Sequence, residues 1–241
     1  GLTRLTHSGL SMVDWRPVTG WLPPLNLAEW QAVFELYKES PEFKKINYDM
    51  TVEDFKSIFW LEFTHRLWGR LMGVVFLLPF IFFVIKGWVT RPLLPRLIVI
   101  FLLGGFQGVL GWYMVKSGLI DNPDVSQYRL TAHFSAAVVI YGYMFWVAMC
   151  LVKVPHSTHN RPPSGLAKAT VFTAVWVFLT MMSGGFVAGL DAGLTYNTFP
   201  LMDGRLVPEG LMANSPWYLN FFENITTVQF DHRILAESTL L

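Results

Sequence analysis

Residues 62–70 read Glu62-Phe63-Thr64-His65-Arg66-Leu67-Trp68-Gly69-Arg70 and lie near the start of an apolar run that extends from Phe59 to about Ile85. A run of this length crosses a bilayer, which takes about 20 residues. Each ionised side chain at mid-membrane costs about 2.5–3.5 kcal/mol on insertion scales, so such residues usually face a protein interior and have a function. One face of the predicted helix carries, at helical spacing, Glu62, His65, Gly69 and Gly73. This face predicts a histidine site with room for a broad ligand beside the glycines.

The same lettering returns near the end of the chain. Residues 229–234 read Gln-Phe-Asp-His-Arg-Ile, again at the head of an apolar run, and His232 follows His65 by 167 residues. That distance is close to the length of four membrane helices with their loops. The echo therefore predicts an internal duplication in which each copy contains a histidine helix.

The composition is typical of a membrane protein. Of the 241 residues 53% are hydrophobic and 15% are charged, against about 25% charged residues in soluble domains. The net charge of +1 and the absence of a Lys/Arg cluster argue against nucleic-acid binding. The single cysteine, Cys150, excludes a disulfide framework and a CxxC metal site. Because the chain begins at Gly1 and stops inside an apolar run, we expect it to be the central portion of a longer protein.

The fold class predicted is an all-α integral membrane protein built from duplicated helical halves. Five apolar runs are expected to be spans: 58–85, 93–115, 128–152, 166–189 and 221–241. We assign residues 1–56 to the tail of a first helix and an outer loop, 57–152 to the rest of the first half, and 153–241 to the start of the second half.

Within the outer loop, residues 26–29 (Asn-Leu-Ala-Glu) read as a capping box that opens a short helix with an aromatic stripe. Pro41 ends this helix. Residues 51–54 (Thr-Val-Glu-Asp) are a second cap signal, before the first full span. The alternative is a solvated loop with one packed helix.

Charge in the loops predicts the orientation. The first and third loops between the apolar runs are basic, and the fourth leans acidic. By the positive-inside rule the basic loops face the cytoplasm or matrix. His65, His133 and His232 then lie at a similar depth near the outer ends of alternate helices, a coincidence that favours a common role.

Neutral imidazole is a standard axial ligand of haem iron, and helical bundles are where such sites are built. We therefore predict a haem-type role for His65 with His133. The alternative for any single membrane histidine is a satisfied polar contact, and a metal ion without a macrocycle lacks the ligands for a tetrahedral shell. If the repeat holds, His232 corresponds to His65.

The two copies differ at one position, where Glu62 in the first is replaced by Gln229 in the second. A carboxylate suits acid/base work or stabilisation of positive charge, so a catalytic site beside a non-catalytic copy is one interpretation. The other is that Glu62 forms an ion pair with Arg66 or Arg129.

Four arginines near the outer ends of the histidine helices are candidates for binding haem propionates: Arg66, Arg70, Arg129 and Arg233. Arginine pairs bidentately with carboxylates. Snorkelling toward lipid headgroups is the competing interpretation.

At these residues the sequence resembles the haem A synthase family of cytochrome oxidase maturation. The resemblance runs through the whole chain and rests on residues 3–10 (TRLTHSGL), 62–66 (EFTHR), 111–118 (GWYMVKSG), 125–133 (VSQYRLTAH), 184–200 (GGFVAGLDAGLTYNTFP) and 228–233 (VQFDHR).

The resemblance implies eight helices in two four-helix halves, and oxidation of a methyl group of haem O to the formyl group of haem A by two successive hydroxylations and loss of water. It implies that the first half is the substrate site, with Glu62 and His65 essential and His133 opposite. It implies that the second half holds a permanent haem b, ligated by His232 and by a histidine on the eighth helix.

Residues 1–56 lack the cysteine pair of some bacterial members, so the pattern is closer to the mitochondrial and proteobacterial type. The expected location is the mitochondrial inner membrane or a proteobacterial plasma membrane, with the haem sites near the outer side. Expected partners are haem O, the haem O synthase that supplies it, membrane lipid and an unidentified electron acceptor, and a homo-oligomer is left open. The competing functions are a non-catalytic dihaem b-type electron carrier and a transporter or assembly scaffold.

Overall fold

A computed structural model describes residues 2–16, 19–119, 125–152 and 164–239, and this part of the chain is helical. In chain order the helices are α1 (Leu2–Leu5), α2 (Leu27–Lys38), α3 (Pro41–Lys45), α4 (Val52–Ile85), α5 (Leu94–Gly118), α6 (Gln127–Leu151), α7 (Gly165–Gly189), α8 (Asn220–Glu223) and α9 (Ile225–Ser238), with 3₁₀ turns at Ala192–Leu194 and Trp217–Leu219.

Four of these helices, α4 to α7, are long and apolar enough to cross a membrane. They confirm the first four predicted spans, and the chain is an all-α membrane protein. The fifth predicted run is divided instead. It contains α8, a break at Asn224 where ψ is 112°, and then α9 with 14 residues. The break follows from the Asn224 side chain, which caps α9 by accepting the backbone N–H of Thr227.

Chain contacts divide the molecule into two compact units, Gly1–Val125 and Ser126–Leu241. The predicted boundaries of the duplicated halves, after residues 56 and 152, describe the repeat and stay predictions. Residues 153–163, which contain part of the basic loop used for the orientation, lie outside the described residues.

In the first unit, an aromatic cluster joins the outer loop to the start of α4. Its buried members come from α2 and from the first turns of α4: Trp30, Phe34, Tyr37, Phe55, Phe59 and Phe63. The rings of Tyr37 and Phe55 are stacked with centroids 4.9 Å apart. The predicted cap at Asn26 and the capping box between Thr51 and Asp54 are both confirmed. The two caps set where α2 and α4 begin, so the aromatic stripe of α2 meets the phenylalanines of α4.

In the second unit, glycines let α6 and α7 approach closely. A Cβ added to Gly189 would lie 2.5 Å from the Cα of Gln127, and one added to Gly185 would lie 2.7 Å from Oγ1 of Thr131. This is the small-residue packing expected between membrane helices. The glycines of α5 differ, because a Cβ on Gly104 has nothing within 4 Å among the described residues.

Candidate functional site

Two predicted site residues on the histidine helix α4 differ in their exposure to solvent. Glu62 is 2% exposed, whereas His65 is exposed within the first unit. Residues three apart on a helix point in directions about 60° apart, so the two side chains occupy adjoining strips. Among the described residues, added Cβ atoms on Gly69 and Gly73 would meet nothing within 4 Å. The surface beside His65 is therefore open in this unit, and a broad ligand on it stays a prediction.

Glu62 binds the segment that follows α1. Its Oε2 accepts hydrogen bonds from Oγ of Ser11 at 2.7 Å and from the backbone N–H of Met12 at 2.7 Å. Its Oε1 pairs with the guanidinium of Arg66, one helical turn later. Of the two partners considered for an ion pair, Arg66 is the one found. Three donors, one of them cationic, therefore surround this buried carboxylate.

Two of the arginines predicted to bind propionates donate to main-chain carbonyls of the same segment. Nη2 of Arg66 lies 2.9 Å from the carbonyl oxygen of Met12, and Nη2 of Arg70 lies 2.9 Å from that of Arg16. The two interpretations of these arginines, propionate binding and snorkelling, did not include hydrogen bonds to main-chain carbonyls. Contact with a propionate stays a prediction for both residues.

The second unit repeats this arrangement. Oε1 of Gln229 accepts the backbone N–H of Tyr196 at 3.2 Å, and its Nε2 donates to the carbonyl of the same residue at 2.9 Å. Arg233 donates to the carbonyls of Tyr196 and Thr198, both at 2.7 Å. We call Glu62 and Arg66, together with the main-chain groups that they bind, the first anchor. We call Gln229 and Arg233, together with the main-chain groups that they bind, the second anchor.

Sequence reasoning offered the Glu62–Arg66 ion pair as one alternative but missed the main-chain contacts of both anchors, although a signal for them exists. Residues 9–11 (Gly-Leu-Ser) match residues 193–195 (Gly-Leu-Thr), 184 residues later. Each triplet comes shortly after a residue with positive φ, His7 at 49° and Asp191 at 50°. The offset of 184 differs from the 167 that relates the histidines, which hides the repeat from a search at one fixed spacing.

His232 lies on α9 and is half-buried against α7. Its Nδ1 is 2.8 Å from Oγ of Ser183. The ring stands directly over Gly184, where an added Cβ would approach Cε1 of His232 to 3.1 Å. The position of this imidazole is therefore defined by one polar contact and by one glycine on the neighbouring helix.

His133 and Arg129 both lie on α6 in the second unit, and both are half-buried. His65 belongs to the first unit. The pairing of His65 with His133 as ligands of one haem stays a prediction. Among the described residues no group of three or more His, Cys, Asp or Glu side chains is arranged to hold a metal ion.

A cavity of about 210 Å³ lies beside the first anchor. Arg66 lines it together with Trp15, Trp112 and Lys116. The rings of Trp15 and Trp112 are 5.5 Å apart, and Nζ of Lys116 lies 5.0 Å from the centroid of the Trp112 ring. The cavity thus has aromatic walls and two cationic side chains.

Comparison with known proteins identifies the family. Residues 1–241 match the profile of COX15-CtaA, described as a cytochrome oxidase assembly protein. The chain is 54% identical over 237 residues to the heme A synthase of Nitrosospira multiformis, with 98% of this chain and 67% of the relative covered. It is 52% identical over 244 residues to that of Paramagnetospirillum magneticum, with 100% and 68% covered. It is 50% identical over 243 residues to the heme A synthase COX15 of Bos taurus, with 98% and 59% covered.

No solved structure matches the chain. The chain spans about two thirds of the length of these bacterial relatives and 59% of the bovine one. Because the family profile covers all 241 residues, the chain belongs to the COX15-CtaA family of cytochrome oxidase assembly proteins.

Proposed function

We propose that this chain is the central part of a haem A synthase, a membrane oxidoreductase that converts a methyl group of haem O into the formyl group of haem A. The observation that carries the proposal is the 50–54% identity, over nearly the whole chain, to relatives named heme A synthase. Conversion of a methyl to a formyl group removes four electrons and four protons and adds one oxygen atom, so with water as the oxygen source the enzyme also requires an electron acceptor. Two successive hydroxylations followed by loss of water give this product.

The residues present fit a haem. His232 is an imidazole in a half-buried position over a glycine, with one ring nitrogen already hydrogen-bonded to Ser183. Metal-binding histidines usually have this second hydrogen bond. His65 has open space next to Gly69 and Gly73. Both positions suit a neutral nitrogen ligand for iron.

We assign His65 and His133 as ligands of the substrate haem O, and His232 as a ligand of a resident haem b. When bound, haem b supplies one-electron transfer between the substrate site and the acceptor. The candidates for binding the propionates are Arg66, Arg70, Arg129 and Arg233. Arg66 and Arg233 would first have to release the main-chain carbonyls of their anchors. Arginine is favoured there because its planar guanidinium pairs with a carboxylate through two hydrogen bonds.

We propose that Glu62 stabilises positive charge that develops next to the porphyrin ring when the methyl group is oxidised. It is buried, lies one helical turn before His65 and pairs with Arg66. Charge stabilisation is preferred to proton abstraction, because both carboxylate oxygens already accept hydrogen bonds from Ser11, Met12 and Arg66.

One observation favours the second candidate, a dihaem b-type electron carrier. Gln229 anchors Tyr196 in the second unit much as Glu62 anchors Met12 in the first. The carboxylate thus has a structural task that requires no catalysis. A carrier would bind haem through the same histidines and leave haem O unmodified.

The test is chromatography of haems extracted from membranes in which the full-length protein is produced together with a haem O synthase. Haem A or its hydroxylated intermediate in the wild-type extract, lost in His65→Ala, supports the synthase. Haem B alone, despite a supply of haem O and with reversible redox spectra, supports the carrier. Purified protein without a Soret band contradicts both and favours a transporter or scaffold.

We propose that the protein resides in the mitochondrial inner membrane or in a proteobacterial plasma membrane, with the haem sites toward the outer side. The relatives come from both bacteria and animals. Haem O would be handed over by the haem O synthase within the same membrane, and assembly into a homo-oligomer is compatible with this arrangement.

A further inference from the structure

The hydrogen bond between Ser183 and His232 has a direction that its surroundings define. Oγ of Ser183 lies 2.7 Å from the carbonyl oxygen of Thr180 and 2.8 Å from Nδ1 of His232. A hydroxyl has one proton, and a carbonyl oxygen only accepts. The proton of Ser183 is therefore donated to Thr180. It follows that Oγ of Ser183 accepts the hydrogen bond and that His232 is the donor through Nδ1–H, with the backbone carbonyl of Thr180 as a second acceptor near the ring.

This direction selects one form of the imidazole. A neutral histidine has one protonated ring nitrogen and one with a free lone pair, and the partner of the first determines which is which. With its proton on Nδ1, His232 has the lone pair on Nε2. Nε2 is then the atom able to bind a metal without rearrangement.

Further contacts between α7 and α9 keep the ring in place. Oγ1 of Thr180 approaches the carbonyl oxygen of Leu235 to 3.3 Å, and Nε1 of Trp176 donates to Oγ of Ser238 at 2.9 Å. Together with the close approach of the ring to Gly184, these contacts determine where α9 lies against α7. The hydroxyl of Ser183 therefore meets a ring that has little freedom to turn away.

We propose that Ser183 is a positioning residue for the iron ligand His232: it fixes the Nδ1–H tautomer, directs Nε2 toward the haem iron and increases the basicity of the ligand. The proposal rests on the proposed function, since it names the haem of the second half as the group that His232 binds. A more basic imidazole stabilises ferric over ferrous haem. Ser183 should therefore lower the midpoint potential of that haem.

The test compares the full-length wild-type protein with Ser183→Ala, Ser183→Thr and the control Thr173→Ala. Thr173 is on the same helix and donates to the carbonyl of Ala169 at 3.0 Å, but it is exposed and contacts no histidine in the described part of the chain. The readout is the midpoint potential and low-spin spectrum of the haem that is lost in His232→Ala. We expect a higher potential in Ser183→Ala, wild-type behaviour in Thr173→Ala, and rescue in Ser183→Thr, because a helical threonine also bonds to a preceding carbonyl.

Unchanged potential and spectrum in Ser183→Ala would overturn the proposal. A second measurement separates this outcome from failure of the proposed function: ¹⁵N chemical shifts of the imidazole nitrogens of His232 in the haem-free full-length protein. The Nδ1–H tautomer in wild type, lost in Ser183→Ala, supports the role of Ser183 even if no haem is found. The Nε2–H tautomer in wild type overturns it whatever the haem content.

Discussion

Arg66 and Arg233, 167 residues apart, make equivalent contacts in the two units. Arg66 donates to the carbonyls of Met12 and Asp14, at 2.9 and 3.5 Å. Arg233 donates to the carbonyls of two residues with the same spacing, at positions 196 and 198. One helical turn before the arginine, the first unit has a carboxylate (Glu62) and the second unit has an amide (Gln229), yet the arginines make the same main-chain contacts. Binding of the main-chain segment therefore does not require a charged side chain at the position of Glu62 or Gln229.

Replacement of Glu62 separates its two proposed tasks. In Glu62→Gln we expect the Met12 amide to stay protected from hydrogen exchange, because an amide makes the corresponding contacts at Gln229, whereas haem A formation falls sharply because the charge is gone. In Glu62→Ala the nearly buried Arg66 loses its partner, which costs about 3–5 kcal/mol and exposes the Met12 amide.

The matched control is Glu53→Gln, in which an exposed carboxylate loses an ion pair with Lys56. This substitution should leave both measurements unchanged. Full haem A yield in Glu62→Gln would contradict the charge-stabilising role and leave only the anchoring one.

Tyr37 should make the outer loop sensitive to alkali. Its side chain is 0% exposed, and its hydroxyl donates to Glu42 and accepts from Asn47. Burial raises the pKa of the Tyr37 phenol, and Glu42 acts in the same direction. Because the folded state retains a proton that the unfolded state loses at a pKa of about 10, the stabilisation is complete below pH 10 and is lost as the pH rises further.

The measurement is unfolding of the loop, followed by tryptophan fluorescence between pH 8 and pH 12. In Tyr37→Phe the pH dependence should disappear, with a lower starting stability because buried Glu42 loses a donor, at a cost of about 1–3 kcal/mol. Tyr48→Phe is the control, since Tyr48 is 72% exposed. An alkaline transition that persists in Tyr37→Phe would assign it to another group.

Gly189→Ala should destabilise the contact of α6 with α7. Its Cβ would lie 2.5 Å from the Cα of Gln127, so the helices must separate, and overpacking of this kind costs about 1–3 kcal/mol. Gly104→Ala is the matched control, because its Cβ meets open space and alanine is the better helix former by up to about 1 kcal/mol. Denaturant unfolding in detergent should show opposite signs for the two variants. A loss of stability in both variants would indicate that another part of the protein packs against Gly104.

Asn224→Ala should unravel the start of α9. The side chain of Asn224 accepts from the N–H of Thr227 and donates to Gly210 and Asn220. Loss of the cap costs about 0.5–2 kcal/mol, and buried groups are also left unpaired. Hydrogen exchange in the first turn of α9 should increase. It should not increase in Asn197→Ala, whose exposed side chain makes one bond, to the carbonyl of Leu194. Equal exchange in both variants would contradict a capping role.

Periodicity and capping chemistry were sufficient to predict much of the fold. The four spans and the caps at Asn26 and Thr51 depend on residues within a few positions of each other, and local sequence determines them. The break at Asn224 was missed because the hydrophobic residues continue across it. Asn224 caps α9 locally through Thr227, but its bond to the carbonyl of Gly210, 14 residues away, is not contained in any local pattern.

The candidate site was predicted only in part. The histidines were identifiable because polar residues are rare in membrane helices. The anchors were not, because the atoms bound by Arg66 and Arg233 are carbonyls of the main chain, which every residue has. Only the folded chain brings Met12 to Glu62 and Tyr196 to Gln229.

The anchors also bear on how the two copies can diverge. Glu62 follows Met12 by 50 residues, and Gln229 follows Tyr196 by 33. Each stretch leaves the histidine helix and returns to it at a fixed hydrogen-bonded point. Insertions and deletions between the two points therefore change the length of the connecting segment and leave its two hydrogen-bonded ends in place. One copy can lengthen its segment while the other shortens it, and the contacts of Glu62 and Gln229 with the main chain stay the same in kind.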